Sequence, residues 1–133
     1  METVIAGWVA GYAMALVSTT VGALALTRGA APKGWTEAGV PPGVVGVLVS
    51  VGAVFFWTIV GLTAAIVYAV GDFAGRPGAG SESLPFALGS VGLALAGAAP
   101  VAALFPRWRW AVALHAAAFA GLFGWALPWM AAQ

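Results

Sequence analysis

The chain has 133 residues, of which 62% are hydrophobic and 7% charged, with a net charge of +1 and no cysteine. Soluble domains carry about a quarter charged residues, so this composition excludes a water-soluble fold whose helices present polar faces. It also excludes disulfides, thiolate metal sites and cysteine nucleophiles, and the five basic residues are too scattered for a nucleic-acid partner.

Every Asp, Glu, Lys and Arg lies outside four apolar stretches, at residues 4–26, 43–70, 85–105 and 110–130. Each stretch reaches or exceeds the roughly 20 residues that a helix needs to cross about 30 Å of hydrocarbon. The expected fold class is therefore all-α. Residues 1–133 form a single polytopic membrane domain, with four transmembrane helices in an up-down bundle and a tight hairpin between helices three and four.

The first stretch is bounded by Glu2 and Arg28. Ala23-Leu24-Ala25 resembles a signal-peptide cleavage site, but the run is too long for a signal core and no basic residue precedes it, so a permanent span is expected. Gly7, Gly11 and Ala15 lie four apart along one helical face, with Ser18 and Gly22 beside the same stripe. Small residues of this kind let helix backbones approach closely in lipid.

A 16-residue connection, 27–42, carries Arg28, Lys33, Trp35 and Glu37 before Pro41-Pro42 opens the second stretch. Proline suits a first helical turn, where its missing N–H has no partner anyway. Residues 43–70 would run about 42 Å as a helix, long enough to demand tilt or a bend, with Gly52 and Gly61 as bend candidates. The adjacent rings Phe55, Phe56 and Trp57 point three ways around the helix, so at least one faces lipid or a partner.

Residues 71–83, rich in Gly, Ser and Pro, read as a flexible loop holding Asp72, Arg76 and Glu82. Ser83 is placed to cap the third helix, with Pro85 in its first turn. Gly89, Gly92, Ala96 and Ala99 form a second small-residue stripe, and Pro100 should kink or loosen the helix. Residues 106–109, Pro-Arg-Trp-Arg, are too short for anything but an antiparallel turn into the fourth stretch. That stretch brings Ala117, Gly121 and Gly124 as a third set of small residues. All three sets are expected to pack the bundle, or else one of them, Gly7–Gly11 first, to face another subunit.

Orientation follows from basic residues in short loops. The first and third connections hold Arg28, Lys33, Arg107 and Arg109, whereas the second holds only Arg76. Loops 27–42 and 106–109 are therefore expected in the cytoplasm and both termini outside, in a plasma or inner membrane. Trp108 and Trp110 would mark the cytoplasmic interface, and Trp8, Trp125 and Trp129 the outer one.

Among the acidic, basic and histidine side chains, His115 is the one inside a predicted span. It lies five residues past Trp110, about 7–8 Å below the interface at 1.5 Å per residue. Such a residue is a functional candidate by default. It could bond across helices, relay a proton, or ligate a haem or chlorin with Met14, Met130 or a symmetry-related His115 as second ligand. No cofactor is otherwise indicated. The hydroxyls of Ser50, Thr58 and Ser90 most simply bond back to their own helices, but a transport path would gather them with His115 around a wet cavity.

In size and number of spans the chain is similar to small multidrug transporters, yet it lacks the carboxylate they carry in their first span. Haem-binding respiratory anchors carry more histidine. No catalytic set can be assembled, so an enzyme is not expected. The leading expectation is a structural or accessory subunit of a larger membrane complex, of respiratory or photosynthetic type, with lipid and other membrane subunits or itself as partners. The alternatives are a small homo-oligomeric transporter or channel, and a haem- or pigment-binding anchor centred on His115.

Overall fold

The computed structural model describes residues 2–28, 33–71 and 83–133, with only the backbone of Lys33 and Thr36. Asp72, Arg76 and Glu82, and with them nearly all of the expected loop, lie outside the described residues. Everything described is helix or short connection. Four helices are long and apolar enough to cross a membrane: Glu2–Thr27, Pro42–Val70, Leu84–Leu104 and Pro106–Ala131.

The first is α1, Glu2–Thr27. The connection after it contains a short helix that hydropathy does not announce, α2, Lys33–Glu37. It ends on Gly39, whose φ of 70° lets the Val40 N–H turn back to the Trp35 carbonyl at 3.0 Å. Only glycine enters that left-handed conformation without steric cost, and such a reversal is a common helix stop. The next long helix, α3, Pro42–Val70, starts on its two prolines and ends with the Gly71 N–H on the Val67 carbonyl.

Helix α4 covers Leu84–Leu104 with Pro85 in its first turn. Ser83 holds the N-cap position, but its side chain makes no capping hydrogen bond there, and the residue is buried. Pro100 does not end the helix, which continues for four more residues. Pro106 does stop it, and a single 3-10 turn, Pro106–Trp108, leads out. Proline at 106 cannot donate to the carbonyl of Ala102 four residues earlier. The Arg109 Nε takes that role at 3.2 Å, placing a cation at the negative end of the helix dipole.

The fourth long helix has three parts. Helix α5, Arg109–Gly121, passes into a π-helical turn, Leu122–Ala126, with the Leu127 N–H bonded to the Leu122 carbonyl, and then into α6, Leu127–Ala131. Pro128 offers no N–H to Gly124, and its ring would crowd that carbonyl in a regular turn. The wider turn removes the conflict. It also serves packing, because Ala111, His115, Phe119, Phe123 and Leu127 are spaced by four, and steps of four overshoot an α-helix by about 40° each. One widened turn corrects the drift, and Phe123 and Leu127 both stay buried.

Helix α1 is the centre of the molecule, packing along α3 and along α5–α6, while α4 packs on α5 and the π turn. The core joins Ala6, Ala10 and Met14 of α1 to Tyr68, Phe86, Phe123 and Leu127. All four long helices thus contribute, near the end that holds the chain termini. Helices α3 and α4 meet there through Tyr68 and Phe86, whose rings are 5.2 Å apart edge to face. They share no interface comparable to the others. Only 6% of the most apolar window of each is buried, against 28% for α1, so most of their surface faces outward.

The small residues divide sharply. Gly7 and Gly11 lie directly on α3, where an added methyl would overlap the Gly61 and Trp57 carbonyl oxygens, and Ala15 is fully buried. This stripe is an internal seam and does not face another subunit. Gly61, a bend candidate by sequence, is its counterpart: a methyl there would meet the Gly7 carbonyl and come within 3.0 Å of the Gly11 Cα. Gly124 packs on α4, with Ser90 Cβ 3.2 Å from its virtual methyl position. By contrast Gly89, Gly92 and Gly121 have open space around them, and together with Ala96 and Ala99 they are exposed. The expectation that these glycines pack the bundle closely is corrected: no neighbouring helix comes within 4 Å of a methyl added at Gly89, Gly92 or Gly121, and Ala99 borders only a furrow against α5.

Candidate functional site

A hydrogen-bond chain crosses the middle of the bundle and links three of the four long helices. Trp57 on α3 donates its Nε1–H to the Ser18 Oγ on α1 at 2.7 Å. The Ser18 Oγ lies 3.0 Å from the His115 Nε2 on α5, and the His115 Nδ1 lies 2.8 Å from the Ala111 carbonyl one turn earlier. A carbonyl only accepts, so Nδ1 carries the proton. In a neutral imidazole with Nδ1 protonated, Nε2 is the acceptor, and the Ser18 hydroxyl supplies its donor while accepting from the indole. Every donor in the series then has an acceptor, from indole to hydroxyl to imidazole to backbone.

In lipid an unpaired indole N–H or imidazole nitrogen costs free energy that no water can offset. This set is closed. Ser18 was legible in the sequence only as a neighbour of the small-residue stripe, and Trp57 only as one of three bulky rings. Phe55 and Phe56 are exposed, as expected for rings that meet lipid, whereas Trp57 is half-buried. Its ring packs on Phe119 and Phe123 at 6.1 and 6.3 Å between centroids. No spacing rule connects residues 18, 57 and 115, since they come from three helices.

Beside this network a groove opens between α3 and α4. It encloses about 750 Å³ and is lined by Met14, Trp57, Leu93, Gly97, His115 and Phe119, among others. A second hollow of about 460 Å³ continues it past Val60, Leu93 and Phe119 to the Tyr68–Phe86 end, with Ser90 on its wall. The groove exists because α3 and α4 part below the Tyr68–Phe86 contact, leaving α5 as its floor. Met14, one of the proposed second ligands for a haem, shares this groove with His115, while Met130 sits on α6 at the far end of the helix.

The hydroxyls that a transport path would gather stay apart. Ser50 donates to the Gly46 carbonyl of its own helix at 2.8 Å and lines a separate hollow between α1 and α3. Thr58 lies against Gly11, and Ser90 lies beside Gly124. None of them joins His115. Ser50 thus bonds back to its own helix as expected, and the convergence that a transport path would require is not formed by these residues. Among the described residues no three His, Asp or Glu side chains come together as a metal-holding group.

The ends of the helices carry the aromatic and basic residues. The Arg28 guanidinium lies over the Trp110 ring, 5.3 Å from its centroid, and Trp110 and Trp108 are 6.3 Å apart. This joins the end of α1 to the start of α5, so Arg28, Arg107 and Arg109 occupy one end of the molecule. At the other end Trp125 and Trp129 stack at 6.2 Å with their planes 9° apart, and Trp8 packs on Tyr12 at 6.1 Å. All of Trp8, Trp110, Trp125 and Trp129 are exposed, and Trp108 is half-buried.

Compared with protein-family models, curated proteins and solved structures, the chain matches none. Its function is therefore argued from its own geometry.

Proposed function

We propose that this protein is a non-catalytic integral membrane protein that serves as a helical subunit of a larger membrane assembly. Its four helices cross in alternating directions, with α4 and α5 as a tight hairpin, in a plasma or inner membrane. The basic end, with loops 27–42 and 106–109, faces the cytoplasm and both termini face outside. The hydrogen-bond chain through His115 holds the bundle together and performs no chemistry.

One observation carries this reading: the groove between α3 and α4 beside an already satisfied polar network. Hydrophobic burial does not drive helices together in lipid, so a groove is filled by whatever packs best. Here Ala94, Gly97 and Ala98 of α4 face Ala111 and Ala116 of α5 between the large rings of Phe56, Trp57 and Phe119. Small residues flanked by large ones suit a third helix laid between α3 and α4.

The test is site-specific photocrosslinking in the native membrane. A photoreactive side chain at Gly97 should capture a different membrane protein that the same group at exposed Ile66 does not. Gly97→Phe should abolish co-purification of that protein. Capture of only a second copy would instead support the homo-oligomeric transporter, and lipid adducts alone would defeat both. A visible absorption band in the purified protein, lost in His115→Ala, would replace this reading with that of a haem or chlorin anchor.

A further inference from the structure

We propose that the furrow between α4 and α5 beside Arg109 is a binding site for one anionic phospholipid, in the leaflet at the basic end of the molecule. This furrow lies outside the groove described above and encloses about 490 Å³. Its walls include Ala98 and Ala102 of α4 and Ala113 and Ala117 of α5, with Arg109 at one end. Alanine walls leave a smooth channel that an acyl chain fills.

The length of the furrow selects a lipid over a helix. It runs from Arg109 to Ala120 along α5 and from Ala102 to Val91 along α4. Either path covers 12 residues, or 11 helical steps of 1.5 Å, about 16 Å. That is close to half of the roughly 30 Å hydrocarbon core. A partner helix would need a seam along the whole thickness, whereas one lipid occupies one leaflet.

Charge selects the headgroup. The Arg109 Nε is committed to the Ala102 carbonyl at 3.2 Å, and among the described residues no other hydrogen bond engages the guanidinium. That bond leaves the two Nη groups of a residue that lines the furrow for a ligand, and a guanidinium fork matches two phosphate oxygens. Arg107 adds a second positive charge two residues away in the chain, and Trp108 and Trp110, the sequence neighbours of Arg109, are side chains suited to the headgroup region. Basic pockets between helices at such a level favour anionic lipids.

The experiment is native mass spectrometry of the full chain, released from nanodiscs of phosphatidylglycerol and phosphatidylcholine with identical acyl chains. Wild type should retain one phosphatidylglycerol per chain, about fivefold in preference to phosphatidylcholine, for one added charge contact. Arg109→Gln should erase the preference. Ala117→Leu, which fills the furrow but leaves the Arg109–Ala102 bond intact, should lose the retained lipid while circular dichroism stays unchanged. Equal retention of both lipids by wild type would overturn the proposal. So would undiminished retention in Ala117→Leu, or a preference abolished by Arg107→Gln and untouched by Arg109→Gln, which would place the charge contact on the exposed neighbour.

Discussion

Gly7 of α1 and Gly61 of α3 touch backbone to backbone, so neither position has room for a methyl group. In lipid such proximity recovers dispersion energy and allows Cα–H···O contacts between helices. Gly7→Ala or Gly61→Ala forces α1 and α3 apart, and each should cost about 1–3 kcal/mol. Gly92→Ala, where open space surrounds the added methyl, should leave stability unchanged or slightly raised. Denaturant unfolding in mixed micelles, followed by tryptophan fluorescence, measures all three variants. Equal effects at Gly61 and Gly92 would refute the seam.

Ser18 stands at the centre of the polar network, hydrogen-bonded to His115 Nε2 and accepting from the Trp57 indole. Ser18→Ala leaves an indole N–H and an imidazole nitrogen without partners, and should destabilise the protein by about 1–2 kcal/mol. In the double mutant with His115→Leu the second substitution should cost less than it does alone, because the two residues share one interaction. Nitrogen chemical shifts of the His115 ring should report a protonated Nδ1 and an accepting Nε2. A protonated Nε2 with bare Nδ1 would contradict the Ala111 hydrogen bond.

Phe123 and Phe55 are both phenylalanines within long apolar helices, yet Phe123 is 1% exposed and Phe55 is 68% exposed. Phe123 packs on Phe119 at 4.7 Å between centroids and on Trp57. Phe123→Ala should cost about 3–5 kcal/mol through lost contacts and the cavity left behind. Phe55→Ala, at an exposed ring, should fall within about 0.5 kcal/mol of wild type. The same unfolding assay decides between them.

Arg28 and Trp110 bring the basic ends of α1 and α5 together, which makes the orientation testable from either side. In intact cells or spheroplasts, a cysteine placed at Arg107 should resist a membrane-impermeant thiol reagent added outside. A cysteine at Gln133 should react. The wild-type chain has no cysteine, so each signal is unambiguous. The reverse labelling pattern would invert the proposed topology.

Helix boundaries were legible because prolines and charges mark them. The pairs Glu2 with Arg28 and Pro42 with Gly71 bracket α1 and α3 within a few residues of the limits read from hydropathy. Two local features escaped. The π turn at Leu122–Ala126 depends on Pro128 acting back on the preceding turn, and α2 is too short to show a periodic pattern. Among the candidate site residues, His115 stood out as the chain's one histidine, set inside a span. Its partners Ser18 and Trp57 did not, because serine and tryptophan are ordinary in membrane helices until a fold brings them together.

The amino-acid sequence alone determined how many helices are long and apolar enough to cross a bilayer and roughly where each begins and ends. Lipid cannot hydrogen-bond a backbone, so a crossing segment must be a continuous apolar helix, and that requirement is written residue by residue. Only the tertiary structure decided which faces meet. Helices that are apolar all round give no inside or outside, and Gly7-Gly11 reads much like Gly89-Gly92. Which stripe became the seam with Gly61, and which was left exposed, rests on how closely particular backbones fit together in three dimensions.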